Sequence, residues 1–520
     1  MFSLRGIFVN ASGTFLSRVL GLFKNITVNF FFGIVDAYWG AFQIVNTFRV
    51  LVGEGAINNA FIPLYKKVKE ENINLLKYFV IKSFLFVSLL SIAFSTILFV
   101  FSKEITHLVM PGLSKEDFIL ASESTKIMSI VVFLISIQSF LAAIIISKEN
   151  NFFTFAYAPV IANIITIAYI LLFHRNGFYS LPWSVVAGSI GMLLLQILFT
   201  AKGTKIRGDF EIDKLLQLDE NSKKFIISFL SVILISVITQ INSLVSRFFG
   251  SFFYGVITAT TNAFILVQAP IGMFSVATSV VGLNALSEAF SKGNKEEFKN
   301  IAEKAIRTLN FLIVPISIVM ITFSEDIIRL IFRDIPGIIL GSEGKYGPEA
   351  LKLTLEMFSI YVLSTYFLSV NSLLTRLSYA KNQISVPIIN SIINLTTNLG
   401  VNILIFLTLK NYLGIPLAFL MASISSTVYL ATVEWKNISN KTKILLNLIT
   451  LVLLSLLSSI PINLLASIIK YPDTYLTSAM VSIAKITLAL IVFLLISAIL
   501  KIPEINTLLN RIKKKKQQTL

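Results

Sequence analysis

The 520-residue chain contains no cysteine. That excludes disulfides, thiolate metal sites and cysteine nucleophiles. Histidine is nearly as scarce, with only His107 and His174, and two isolated imidazoles make no metal site. Charge is thin as well. Charged residues make up 14% of the chain against 55% hydrophobic, where a soluble domain carries roughly a quarter. No GxxxxGK(S/T) loop occurs, so direct ATP hydrolysis is not expected. Membrane enzymes that handle phosphorylated lipids need carboxylates or a His/Arg/Ser cluster near the membrane face. Here that region offers only Asp36 and a mixed-charge loop over 324–348, so no enzymatic activity is expected.

What remains is apolar. A mean hydropathy of +0.81 makes the chain an all-α polytopic membrane protein. Its apolar runs reach about 20 residues, enough to cross a hydrocarbon core of about 30 Å, and they lack the alternation of a transmembrane barrel. About fourteen transmembrane helices are expected, near 7–32, 36–65, 76–102, 119–147, 152–173, 182–201, 224–250, 254–289, 301–323, 350–375, 384–409, 413–435, 444–468 and 476–500. The first run is long, polar-interrupted and without a small-residue cleavage site, so it is read as a retained span. The net charge of +17 reflects loop lysines such as Lys66, Lys67, Lys69, Lys202, Lys205, Lys292 and Lys295, and the run Lys513 to Lys516. They fall on one side, so the positive-inside rule puts both termini in the cytoplasm and makes nucleic acid an unneeded partner.

Short strings repeat in order. Ala41-Phe42-Gln43-Ile44-Val45 returns as Ala263-Phe264-Ile265-Leu266-Val267, and Phe101-Ser102-Lys103-Glu104-Ile105 as Phe323-Ser324-Glu325-Asp326-Ile327. Phe31-Phe32-Gly33 returns as Phe253-Tyr254-Gly255. Pro159 and Pro387 follow at a slightly larger offset, as do Pro182 and Pro416. A parallel duplication of six helices follows: a first lobe over 1–202, a cytoplasmic linker over 203–223 and a second lobe over 224–436. Two accessory helices over 437–500 and a basic cytoplasmic tail over 501–520 complete the chain. Such repeats commonly hold a substrate site between them.

The first two spans carry charge where a membrane helix should have none: Arg18 and Lys24 in one, Arg49 and Glu54 in the other. A charge at mid-membrane costs about 2.5–3.5 kcal/mol on insertion scales, so it faces a wet cavity or a partner. Several cations together imply an anionic cargo. Glu54, between Gly53 and Gly55, sits where paired glycines weaken the helix, and is read as an ion partner for a cation when cargo is absent.

The run Ser17-Arg18-Val19-Leu20-Gly21, with Phe32-Gly33, Asp36-Ala37, Ala41-Phe42, Asn46, Arg49, Glu54-Gly55-Ala56 and Ala60-Phe61-Ile62-Pro63, resembles the signature of the MurJ (MviN) lipid II flippases. These belong to the multidrug, oligosaccharidyl-lipid and polysaccharide exporter superfamily. The resemblance implies two lobes in a V around a central cavity. It also implies a cargo, the undecaprenyl-diphosphate-linked disaccharide-pentapeptide of peptidoglycan, moved from the inner to the outer leaflet of the bacterial inner membrane. Membrane lipids and the cell-wall synthesis machinery are the further partners it suggests. Arg18, Lys24 and Arg49 would share the diphosphate, since arginine offers a planar fork and lysine a mobile point charge. Glu54, Asn25 and Asp36 would serve gating or ion pairing. No cofactor is expected beyond a coupling ion such as Na+ or H+.

Three features depart from that pattern or add to it. Many family members have arginine and aspartate where Lys24 and Asn25 stand. An Asp-Arg pair of the second lobe aligns with the uncharged Phe264 and Ile265. Arg247 is the candidate replacement, the alternative being that it snorkels to the interface. Asn390, Asn394, Asn398 and Asn402 recur every fourth residue and form a polar stripe, read either as a wall for a cation or sugar or as interhelical hydrogen bonding. Lys126 and Lys485 are expected to snorkel, or Lys485 to meet a lipid diphosphate. The alternatives to a lipid II flippase are an exporter for another polyprenyl-linked glycan, one for a cation-coupled small molecule, and a non-transporting scaffold.

Overall fold

In hydrocarbon a backbone must satisfy its own hydrogen bonds, and the computed structural model is helical wherever it is regular. It describes residues 4–149, 151–203, 217, 219–272, 285–467 and 474–505, with no strand among them. Most of the 203–223 linker, the middle of the span expected over 254–289 and the tail beyond 505 lie outside the described residues. Packing divides the chain into two units, Met1–Thr258 and Ala259–Leu520.

The first unit holds α1 (Leu4–Phe32), α2 (Asp36–Val52), α3 (Glu54–Glu71), α4 (Ile73–Val100), α5 (Ser102–Val109), α6 (Lys115–Met128), α7 (Ile130–Glu149), α8 (Phe153–Phe173), α9 (Ser180–Gly203) and α10 (Glu220–Gly250). The single span expected over 36–65 is thus two helices, broken at Gly53. The span expected over 119–147 starts earlier, as α6, and steps into α7 at Ser129. Helix α10 packs on α2, α3, α4 and α5. Its Phe225 and Phe229 join an aromatic core with Phe61, Phe79 and Phe86.

In the second unit α11 (Val256–Pro270) begins at the division and is followed by α12 (Lys295–Thr322), α13 (Ser324–Arg329), a π-helical turn over Leu330–Asp334, α14 (Ile335–Leu340), α15 (Pro348–Ala380), α16 (Ser385–Thr408), α17 (Gly414–Glu434), α18 (Lys441–Ser467) and α19 (Tyr475–Ile499). Lys485 does not snorkel. It is buried on α19 and bonds Asp326 of α13 at 3.1 Å. Beside it Ser478 donates to Asp334 at 2.8 Å. A second buried pair joins Lys381 to Glu434 at 2.7 Å.

Eleven helices among the described residues are long and apolar enough to cross a membrane. The other three expected spans fall on α1, on the broken α2–α3 pair and on the 15-residue α11. Local geometry repeats along the chain. Gly33 and Gly255 both take a left-handed turn, at φ 74° and 78°, and a long helix passes to a short one at Phe101 and again at Phe323. Tyr179 donates to Glu123 and Tyr412 to Glu356. The steps from 179 to 412 and from 123 to 356 are both 233.

Candidate functional site

Helix α1 is seated on α8 through its small residues. Gly13 lies so close to Ala156 that a Cβ there would come within 2.7 Å of it. Nearby, Asn163 Nδ2 donates to the Ser17 carbonyl at 3.0 Å, and the Ser12 and Tyr157 hydroxyls are 3.1 Å apart. This contact leaves Arg18 exposed. Six residues on, Lys24 reaches the aromatic face of α2, its ammonium 4.6 Å from the Phe42 ring centre and 5.8 Å from that of Trp39. Such seats stabilise a cation by about 0.5–2 kcal/mol. Among the described residues Lys24 makes no ion pair.

Two turns further along α2, Arg49 Nε donates to Asn46 Oδ1 at 3.0 Å. Its charge and that of Lys24 are close enough to oppose each other. Both side chains are half-buried. Helix α2 stops just beyond. Gly53 N–H still bonds the Arg49 carbonyl at 2.8 Å, and a Cβ on Gly53 would sit 2.6 Å from that oxygen. The break therefore fixes a glycine four residues after the arginine. Glu54 opens α3, but its side chain lies outside the described part of the structure.

The other residues read as site members have varied surroundings. Asn25, next to Lys24, is buried. Arg247 is also buried, in the last turn of α10, and does not extend to the surface. Asp36 caps a helix. Its carboxylate accepts from the Gly255 N–H at 2.6 Å, the Thr258 N–H at 2.8 Å and the Thr258 hydroxyl at 2.6 Å, holding the start of α11. Carboxylate caps match the positive end of a helix.

The asparagine stripe of α16 is taken up by its neighbours. Asn390 and Asn371 exchange amide bonds at 3.1 and 3.3 Å. Asn394 donates to the Ala422 carbonyl and to Ser426. Asn402 donates to both the carbonyl and the side chain of Asn398. At the position where the family resemblance implies an Asp-Arg pair, Phe264 packs against Tyr361 and Phe419, with ring centres 5.8 and 5.3 Å away. The three rings form an aromatic cluster. Sequence reading missed the seat of Lys24. Its signal was Trp39 and Phe42, three residues apart and so on one face of α2.

A membrane-crossing helical chain in two packed units, with Arg18, Lys24 and Arg49 carried on the helices of one of them, is a transporter. Its fold is that of the MOP superfamily: an inward-facing multidrug resistance MATE transporter aligns over 81% of this chain and 94% of its own, with TM-score 0.64 and 12% identity. A lipid II flippase MurJ in an inward closed conformation aligns over 95% of this chain and 98% of its own, with TM-score 0.78 and 24% identity. The family model for lipid II flippase MurJ matches residues 30–485. The probable lipid II flippase MurJ of Aquifex aeolicus is 27% identical over 427 residues, 80% of this chain and 81% of its own. That of Thermotoga maritima is 26% identical over 443 residues, 83% and 85% of the two chains. The chain belongs to the MurJ lipid II flippase family.

Proposed function

We propose that this protein is a lipid II flippase of the bacterial cytoplasmic membrane. It carries the undecaprenyl-diphosphate-linked disaccharide-pentapeptide from the inner to the outer leaflet by alternating access. The observation that carries the reading is the placement of Lys24 beside Arg49, with Lys24 held on aromatic faces and without a carboxylate among the described residues. A diphosphate brings Lys24 a negative charge and has acceptor oxygens enough to reach Arg49 as well. Each charge-assisted hydrogen bond to it contributes about 1.5–3 kcal/mol.

Arg18, exposed on the same helix, receives the phosphates first, and Lys24 and Arg49 hold them deeper. Glu54, just past the Gly53 break, takes their place when cargo leaves. With no nucleotide-binding loop, the cycle draws on the membrane potential or on a gradient of H+ or Na+. The lysine-rich loops and both termini face the cytoplasm. Membrane lipids surround the helices, and the cell-wall synthesis machinery consumes the product.

The aromatic cluster around Phe264 favours a second reading, an exporter for another polyprenyl-linked glycan. Rescue of a bacterium depleted of its own flippase separates the two. The unaltered gene restores growth, whereas Arg18→Ala and Arg49→Ala each weaken rescue. If both variants rescue fully, the cation site is misassigned. If the unaltered chain inserts normally and never rescues, the second reading stands.

A further inference from the structure

The first unit contains another cation in an apolar setting, and the transport site makes no use of it. Lys126 stands in the last turn of α6, beside the step at Ser129 that separates α6 from α7. The step exposes backbone that a neighbour satisfies, because the Ser95 hydroxyl of α4 donates to the Ser129 carbonyl at 2.8 Å. Around it lies a cleft of about 440 Å³, lined by Thr96 and Phe99 of α4, Lys126, Ile130 and Trp183 of α9.

The charge in this cleft meets no carboxylate among the described residues. Glu123, one turn before Lys126, is held by the Tyr179 hydroxyl. Lys126 makes no ion pair among the described residues, and its ammonium rests 4.8 Å from the Phe99 ring centre. Phe99, Ile130 and Trp183 are all exposed, so the cleft opens on apolar surface. Helix α7 has 20 residues, about 30 Å at 1.5 Å per residue, which is the thickness of the hydrocarbon core. Lys126 lies four residues before it, about 6 Å along the axis, at headgroup depth. Trp183, at the start of α9, suits the same depth, where amphipathic indoles collect.

We infer that this cleft binds an anionic phospholipid of the surrounding bilayer. Its phosphate meets Lys126, with the Thr96 hydroxyl and the Trp183 indole N–H as further donors, and its chains lie along Phe99 and Ile130. A zwitterionic lipid brings its own ammonium beside the phosphate, so the lysine discriminates in favour of a head with net negative charge. This binding is independent of the cargo.

Trp183 reports on it. The protein and its Trp183→Phe variant are placed in bilayers doped with acyl-brominated phosphatidylglycerol or phosphatidylcholine. The difference in their emission gives the quenching of Trp183 alone. Phosphatidylglycerol should quench at about one-fifth the mole fraction that phosphatidylcholine needs, the factor one lysine contributes beside an anionic head. Lys126→Gln should make the two lipids equal, and Lys126→Arg should keep the preference. Equal quenching in the unaltered protein, or a preference that survives Lys126→Gln, overturns the assignment.

Discussion

At the scale of the residue, charge could be read from the sequence but not its partners. Arg18, Lys24 and Arg49 stood out because apolar runs surround them. The aromatic seat of Lys24 needs two helices to be brought together. The family resemblance made Asp36 a candidate for gating or ion pairing. In the fold its acceptors are filled by Gly255 and Thr258, more than 200 residues away. Asp219 is a cap of the same kind, outside the spans. It accepts from the Ser222 N–H at 2.9 Å and from the Lys82 ammonium at 2.7 Å. Partial burial raises its carboxyl, but the bonds from Lys82 and Ser222 outweigh burial and hold it below the usual value. A lowered pKa stabilises the fold fully above about pH 4, the unfolded value, and the benefit is lost as pH falls through the folded one. Asp219→Ala should therefore cost about 1 kcal/mol at neutral pH. In thermal melts of the solubilised protein, its gap from the unaltered chain should close as the pH drops below 4. A gap that stays constant to pH 3 would contradict the cap's role.

At the scale of the element, length and hydropathy located most helices, while their interruptions depended on contacts. Gly53-Glu54-Gly55 marked a weak point in an expected continuous span. In the fold the chain turns at Gly53, where an added side chain would meet the Arg49 carbonyl, and α2 and α3 separate there. The step at Ser129 carried no such mark, since serine is ordinary within an apolar helix and its partner Ser95 is 34 residues away. The four asparagines of α16 were legible as a stripe, and the hydrogen bonds to Asn371, Ala422 and Ser426 show how the stripe is satisfied. Gly53→Ala should push against the Arg49 carbonyl, costing about 1–3 kcal/mol as overpacking does, and should slow transport by displacing Arg49. Thermal stability and flipping rate, measured together, check this. A variant normal in both would mean that the break tolerates a side chain.

At the scale of the molecule, the duplication was faint in the sequence. In the structure it persists as repeated geometry: the left-handed glycines at 33 and 255, and the Tyr–Glu pairs 56 residues apart in each unit. The weakness of the sequence signal has a physical cause, since a lipid-facing surface accepts almost any apolar residue. Charge is distributed unevenly over the repeat. The first unit keeps Lys24 and Arg49 on neighbouring helices, while the second sets Phe264 among aromatics where the family pattern has charges. On the proposed function, diphosphate binding then rests more heavily on the first unit than the family resemblance implies.

That dependence is the central claim, and an accessibility assay tests it most directly. Vesicles containing the protein and lipid II are treated with an enzyme or probe that reaches only the outer leaflet, and the rate at which lipid II appears there is followed. The Lys24→Ala, Arg49→Ala double variant should lower that rate by tenfold or more, since one charge-assisted phosphate contact is worth about 1.5–3 kcal/mol. A correctly inserted double variant that flips lipid II at the unaltered rate would contradict the account.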